Sequence, residues 1–98
     1  AAAKNNVHQI MKYLSVELSP SVRVNSIELG NLMHPTSVWN EKYKKDKQDV
    51  DNYLSKNVPM KNFVTPNQVA SLIKLLVDKS MSSICGASIT LDGGQSIV

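Results

Sequence analysis

The stretch TPNQVASLIKLLVDKSMSSICGASITLDGG, residues 65–94, decides the fold because it predicts a helix followed by a strand. Thr65 suits a helix N-cap, Pro66 the first helical position and Gln68 the return contact of a capping box. Apolar residues then recur at helical spacing, which predicts a helix ending near Ser80. The residues of this apolar stripe are Val69, Leu72, Ile73, Leu76 and Val77.

The residues that follow this helix predict a β-strand ending in a glycine turn. Apolar and polar side chains alternate over residues 87–92, and Gly93 and Gly94 come next. Alternation of this kind is typical of a strand, and adjacent glycines are typical of a turn.

A second strand is predicted upstream, in the sequence VRVNSIELG at residues 22–30. It is rich in β-branched residues and is bounded by Pro20 and Gly30. Its poor alternation is typical of a strand covered on both faces. Because one helix separates the two strands, we expect them to be parallel neighbours joined by a crossover. Glu28 lies near the carboxyl end, where open α/β sheets bind ligands.

The chain begins with a predicted helix over residues 1–18, which Pro20 ends. Its apolar stripe consists of Val7, Ile10, Met11, Leu14 and Leu18. Lys4 falls on this stripe, where a lysine is costly unless its ammonium group has a partner. On spacing alone two interpretations remain open: Lys4 reaches water from a frayed first turn, or it serves a site.

Residues 31–64 form a polar insert between these segments. Six lysines and four acidic residues lie between positions 41 and 61, and Pro35 and Pro59 interrupt the pattern. Polar inserts of this length are often lids or binding loops. One face of short helices is predicted from Trp39, Tyr43, Tyr53 and Leu54.

Composition excludes several classes of protein. The chain has 98 residues, a net charge of +3, one cysteine and two histidines. It has no long apolar run for a membrane span, and the thiol and imidazole groups do not suffice for a disulfide framework or a structural zinc site. Because the histidines and the cysteine are few and far apart, we expect no metal. No secretory signal is visible, and we expect a cytoplasmic protein. The lysines are diluted by acids, which favours a solvated helix face over a nucleic-acid site.

The predicted elements make an incomplete sheet. Two strands and two helices leave an open edge and an uncovered face, which a parallel sheet does not tolerate alone. We therefore expect residues 1–98 to be a single partial domain of an α/β protein, with residues 31–64 as its lid insert.

Four motifs, in order and in register, resemble the carboxyl-terminal part of short-chain dehydrogenases/reductases. Ala1-Ala2-Ala3-Lys4 resembles the end of the family's Tyr-x-x-x-Lys motif. The sequence VRVNSI at residues 22–27 resembles its strand, Thr65-Pro66 with Val69-Ala70 its helix start, and residues 85–94 its Asp-Gly-Gly ending. The resemblance implies a portion of a doubly wound Rossmann-type parallel sheet that begins directly after the catalytic tyrosine.

The resemblance also implies a function. The intact parent would use NAD or NADP to transfer a hydride between the nicotinamide and a carbonyl or alcohol of a small-molecule substrate. Lys4 would assist the tyrosine and hold the nicotinamide ribose. The residues implied for the cofactor are Lys4, Gly30, Leu32 and Thr36. Those implied for the substrate lid are Trp39 and Tyr43.

The parent is also expected to be a homo-oligomer, with neither nucleic acid nor membrane as a partner. The 98-residue chain alone is expected to be inactive and to associate with its amino-terminal half or a second copy. Two other functions remain open. The chain could be a non-catalytic remnant serving as an oligomerisation or scaffold module, or a small basic binding module that uses the lysine cluster.

Overall fold

The structure, a computed structural model, describes the backbone of residues 2–98 and the side chains from residue 5 onward. The elements follow the predicted order of helix, strand, insert, helix and strand. They are α1 (Ala2–Glu17), β1 (Ser26–Leu29), α2 (Val38–Lys45), α3 (Lys47–Asn57), α4 (Pro66–Val77) and β2 (Ser88–Leu91). Short 3₁₀ turns follow α4 at Lys79–Met81 and β2 at Gln95–Ile97. Over the described residues, no helix combines the length and apolarity needed to cross a bilayer.

The two strands are hydrogen-bonded neighbours. Ser26 N–H donates to the Ala87 carbonyl at 2.9 Å, and Gly30 N–H donates to the Leu91 carbonyl at 3.0 Å. Both strands thus advance by four residues between these bonds, so they run parallel. Helix α4 lies in the connection between them. The predicted α/β fold, with a partial parallel sheet, is confirmed.

Strand β1 is shorter than predicted, since it begins at Ser26 rather than at residue 22. The Asn25 side chain replaces a backbone pairing at this point: its amide donates to the Ile84 carbonyl at 3.0 Å, and its oxygen accepts from Ala87 N–H at 2.9 Å. A side chain that bonds the neighbouring backbone competes with the ladder of a sheet.

Arg23 lies in the part of the predicted strand that precedes β1. Its guanidinium group donates to three main-chain carbonyls at 2.8–3.0 Å. These carbonyls belong to Leu76, Met81 and Ile84. Because these carbonyls lie in the last turn of α4 and in the segment that follows it, Arg23 holds the end of α4 and the chain that leads to β2.

One compact unit comprises residues 1–28 and 73–89. In it, α1 buries Met11 and Ser15, which are 5% and 6% exposed. Of the predicted apolar stripe only Met11 is buried in this chain, since Val7, Ile10, Leu14 and Leu18 are 37–62% exposed. Ser15 lies on the same helix face as this stripe, four residues after Met11, so α1 buries the middle of its apolar face. A side chain on Gly86, which has a φ of 74°, would place its Cβ 3.0 Å from the Ser15 hydroxyl oxygen.

Helix α4 begins as predicted. Thr65 N–H donates to Gln68 Oε1 at 3.0 Å, and Gln68 N–H donates to Thr65 Oγ1 at 3.3 Å, which is the reciprocal pairing of a capping box. The helix ends at Val77, three residues before the predicted end. It stops there because Asp78 accepts from Ser80 N–H at 2.8 Å and starts a 3₁₀ turn.

The other compact unit comprises residues 29–72 and 90–98. It contains four of the six buried hydrophobic side chains among the described residues, and all four belong to the polar insert. These are Val50, Leu54, Val58 and Val64. The insert therefore has its own interior. Its predicted short helices are observed as α2 and α3, which Ser37 and Asp46 cap at their amino-termini.

Candidate cofactor and lid site

The candidate site begins where the chain leaves β1. Gly30 lies against the backbone of Asp92, because a Cβ added to Gly30 would come within 2.6 Å of the Asp92 Cβ. Real side chains do not approach this closely, so glycine is required for packing at this point. Gly30 therefore brings the ends of the two strands together at the carboxyl edge of the sheet.

Leu32 lies on the same segment, in an isolated parallel bridge with Val64. Val64 N–H donates to the Asn31 carbonyl, and Met33 N–H donates to the Val64 carbonyl, both at 3.0 Å. In such a bridge the polar backbone groups of alternate residues point to opposite sides. The N–H and C=O of Leu32 therefore face away from Val64, toward the opposite edge of the segment.

Thr36 lies in the exposed turn that precedes α2. Its hydroxyl group is 2.8 Å from His34 Nδ1, and its backbone N–H donates to the same nitrogen at 3.2 Å. The hydroxyl of Ser37 donates to the His34 carbonyl at 2.8 Å. His34 belongs to no catalytic motif in the sequence. It holds the turn that connects the strand exit, which is the segment of residues 30–33 after β1, to the first helix of the insert.

An aromatic cluster holds the insert together. The Trp39 ring lies 4.6 Å from the Tyr53 ring and 5.2 Å from the Phe63 ring, measured between centroids. The Lys42 ammonium lies 4.7 Å from the Trp39 ring centroid, within range of a cation–π interaction. Trp39 therefore joins α2 to α3 and to the segment after α3. Phe63 is not part of the predicted aromatic face, because it lies beyond the predicted helices.

Tyr43 faces a different part of the insert. It lines an open cleft of about 400 Å³ whose walls include apolar, amide and charged side chains. The remaining lining residues are Met33, Asn40, Asp51, Leu54, Lys61, Asn62 and Phe63. The two predicted lid residues are thus separate in role: Trp39 packs within the cluster, and Tyr43 borders the cleft.

The hydroxyl group of Tyr53 joins three segments of this unit. Asn31 Nδ2 donates to Tyr53 Oη at 3.0 Å, and Gln95 Nε2 donates to the same oxygen at 2.9 Å. The sequence pattern predicts Tyr53 on one face of the short helices, but this contact is not visible in it. The partners are 22 and 42 residues away, and no local pattern connects them.

The turn after β2 is held by Asp92. Its carboxylate accepts from Gly94 N–H at 2.8 Å and from Ser96 N–H at 2.9 Å. A hydrogen bond from the Ser96 side chain is the main cause that holds the pKa of Asp92 below its ordinary value, and the backbone N–H groups lower it further. Gly93 and Gly94 have φ angles of 65° and 90°, so they form the predicted turn.

The remaining predicted site residue is Lys4. Its backbone belongs to α1, but its side chain lies outside the described residues. Among the described residues, no group of three or more histidine, cysteine, aspartate or glutamate side chains could hold a metal ion.

Comparison with known proteins gives one consistent result. A family model described as Enoyl-(Acyl carrier protein) reductase matches residues 1–96. An uncharacterised oxidoreductase of Schizosaccharomyces pombe is 33% identical over 95 residues, a match covering 96% of this chain and 36% of the relative.

Solved structures agree with this result. The crystal structure of a short chain dehydrogenase from Bacillus anthracis is 30% identical with a TM-score of 0.76, and the match covers 98% of this chain and 36% of that one. L-sorbose reductase from Gluconobacter frateurii, solved with NADPH and L-sorbose, is 25% identical with a TM-score of 0.76, over 96% of this chain and 38% of that one.

The chain thus spans between 36% and 38% of the length of these three relatives. The matched region includes both parallel strands, the insert and the capped helix α4, which the sequence motifs also cover. The chain therefore belongs to the short-chain dehydrogenase/reductase family.

Proposed function

We propose that the polypeptide carrying this chain is an NAD(P)-dependent oxidoreductase that transfers a hydride between a nicotinamide and a carbonyl or alcohol group. The observation that carries this proposal is the family match over residues 1–96. It is supported by the position of residues 30–36 beyond the carboxyl end of a parallel strand, where α/β sheets bind ligands. A relative of the same family was solved with NADPH. We propose a cytoplasmic location, where an exposed free thiol such as Cys85 stays reduced.

The strand exit fits the nicotinamide end of the cofactor. A carboxamide offers an N–H donor and a carbonyl acceptor, and the outward N–H and C=O of Leu32 form the complementary pair. The Thr36 hydroxyl group follows on the same exposed segment. When bound, the nicotinamide ring would supply the carbon that accepts or releases the hydride. Gly30 serves this arrangement by packing against Asp92, which fixes where the segment leaves the strand.

Lys4 is the proposed catalytic residue of this chain. In the family motif a tyrosine precedes the lysine by four residues, which places both on one helix face. A neighbouring ammonium group favours the ionised tyrosine and so makes it a better acid–base group. The same ammonium would donate a hydrogen bond to the nicotinamide ribose.

The insert is the proposed substrate lid. We assign residues 1–98 to one partial domain in which residues 31–64 cover a small-molecule substrate. Tyr43 borders the cleft of about 400 Å³, and Trp39 fixes the two helices that carry it. Loops and short helices of this kind exclude water from a reaction and complete the site upon closure.

The test uses the protein as the cell produces it. NADH and NADPH are titrated calorimetrically, and turnover is followed at the nicotinamide absorbance with a panel of small carbonyl compounds and alcohols. Lys4→Met should lower kcat by about 100-fold or more, the usual contribution of a group that supports acid–base catalysis. Lys12→Met, an exposed lysine on the same helix, is the matched control and should retain activity. Absence of binding for both nucleotides would refute the proposal.

Exposed apolar side chains on α1 favour an oligomerisation or scaffold role in addition to the enzymatic one. One side of α1 exposes Val7, Ile10 and Leu14, which are spaced three and four residues apart and are 37–62% exposed. We propose that another part of the enzyme or a second copy covers this side. An associating protein without nucleotide binding would support the scaffold function instead of the enzyme.

A further inference from the structure

Two segments of the residues 29–72 and 90–98 unit meet at one atom of helix α3. Tyr53 Oη accepts hydrogen bonds from Asn31 at 3.0 Å and from Gln95 at 2.9 Å. Asn31 lies between Gly30 and Leu32 on the strand exit, and Gln95 begins the turn after β2. Because both amides donate to the same oxygen, a displacement of α3 disturbs both contacts.

The position of this oxygen is fixed from the ring side as well. The half-buried Tyr53 ring packs at 4.6 Å from Trp39, which belongs to α2. The amide of Asn57 donates to the Tyr53 carbonyl at 3.0 Å and closes the last turn of α3. Tyr53 therefore moves with both helices of the insert rather than as a free side chain.

Asn31 is equally constrained at its backbone. Its carbonyl accepts from Val64 N–H at 3.0 Å, and the neighbouring Met33 N–H donates back to the Val64 carbonyl at 3.0 Å. The position of the Asn31 side chain therefore depends on the position of the strand exit. A half-buried amide that loses its acceptor pays a desolvation penalty, so the contact with Tyr53 resists separation of the two segments.

From this arrangement we propose that Tyr53 is a positioning residue that couples the strand exit at residues 30–33 to the lid helix α3. The proposal rests on the proposed function, because it concerns how cofactor binding at the strand exit orders the lid of the same site. A nicotinamide seated against Leu32 restrains Asn31, and the Tyr53 hydroxyl transmits this restraint to α3. Such a coupling is reciprocal, so an ordered α3 also favours cofactor binding.

The experiment measures amide hydrogen exchange in the protein as the cell produces it, with and without NADH and NADPH. In the wild type, the bound nucleotide should slow exchange in residues 47–57 by about tenfold, within the range of typical coupling between sites. In Tyr53→Phe the ring and its packing on Trp39 remain and only the hydroxyl is lost. This variant should still bind the nucleotide but show less than about twofold slowing, because the coupling is removed.

Tyr13→Phe is the matched control, since it removes the hydroxyl of a 65% exposed tyrosine on α1. It should keep the full nucleotide-dependent slowing. Gln95→Ala removes one donor without touching the ring and provides the test if Tyr53→Phe is poorly folded. It should reduce the slowing, and in combination with Tyr53→Phe it should add nothing further, as expected of residues acting through one contact.

The outcomes separate this inference from the function on which it rests. Nucleotide-dependent slowing in residues 47–57 that persists unchanged in Tyr53→Phe and Gln95→Ala would overturn the coupling and leave the enzyme intact. A wild type that binds nucleotide without any slowing there would overturn it too. Failure of both nucleotides to bind the wild type would instead overturn the proposed function, and the positioning role with it.

Discussion

At the scale of single residues, close approach and polar capping determine the carboxyl edge of the sheet. Gly30 is set by its contact with Asp92, where no Cβ would fit. Asp92 in turn uses both carboxylate oxygens to hold the turn after β2. One aspartate thus organises two features of the site: the place where the chain leaves β1 and the turn that carries Gln95.

The turn held by Asp92 should loosen in acid. Its pKa is lowered in the folded state, chiefly by a hydrogen bond from the Ser96 side chain. A carboxyl whose folded pKa lies below its unfolded value of about 3.9 contributes stability that is complete above that value. The contribution should be lost as the pH falls through the folded pKa. Carbon-detected NMR titration of the carboxyl group should therefore give a midpoint below about 3.9.

Asp92→Asn is the control for this pH effect. The variant cannot ionise, so the amide signals of Gly94 and Ser96 should no longer titrate with the carboxyl group. A midpoint for Asp92 at or above the ordinary value would contradict the capping role that the two N–H contacts indicate.

At the scale of secondary-structure elements, the sequence reveals contacts between residues that are close in the chain but not contacts between residues that are far apart. The capping box of α4 depends on residues three apart, and both of its hydrogen bonds are found. The start of β1 depends on Arg23 and Asn25, which bond carbonyls 53–61 residues away, so its late start is not visible in the local pattern. The hydrogen bonds of Tyr53 with Asn31 and Gln95 are not visible in the local pattern either, because these partners are 22 and 42 residues away.

Loss of the capping box should weaken α4. Thr65→Ala removes the hydroxyl that accepts from Gln68 N–H and should lower the free energy of unfolding by about 1 kcal/mol, the usual effect of an N-cap substitution. Urea denaturation provides the measurement. Ser71→Ala, an exposed mid-helix change, is the control and should not destabilise the protein because alanine is the better helix former. Equal unfolding midpoints for the two variants would contradict the cap.

At the scale of the whole molecule, apolar surface is unevenly covered. The buried hydrophobic side chains of the described residues lie mostly in the insert, whereas α1 exposes an apolar side. The sequence predicts this helix and its apolar face, but not which residues of that face are buried. Met11 and Ser15 are buried while other residues of the same face are exposed, and periodicity carries no information about which part of a face a neighbour covers.

The 98-residue chain on its own should self-associate through α1. Exposed apolar side chains on one helix side, here Val7, Ile10 and Leu14, which are 37–62% exposed, drive association when they form a continuous patch. Sedimentation equilibrium should give a mass above the 10.8 kDa of one chain. Ile10→Lys should shift the distribution toward the single chain, while Lys12→Met should not. A monodisperse species of 10.8 kDa in the unsubstituted chain would contradict this expectation.

The separate interior of the insert has a consequence for how such a protein diversifies. Val50, Val58 and Val64 support the helices of the insert from within and do not line the cleft, so the packing of these helices depends little on the exposed cleft residues. Substitutions around Tyr43 and Lys61 can then accumulate without unfolding the segment that carries them. Mutational drift on this surface would let descendants of one ancestor change what the cleft accommodates while the interior of the insert stays the same.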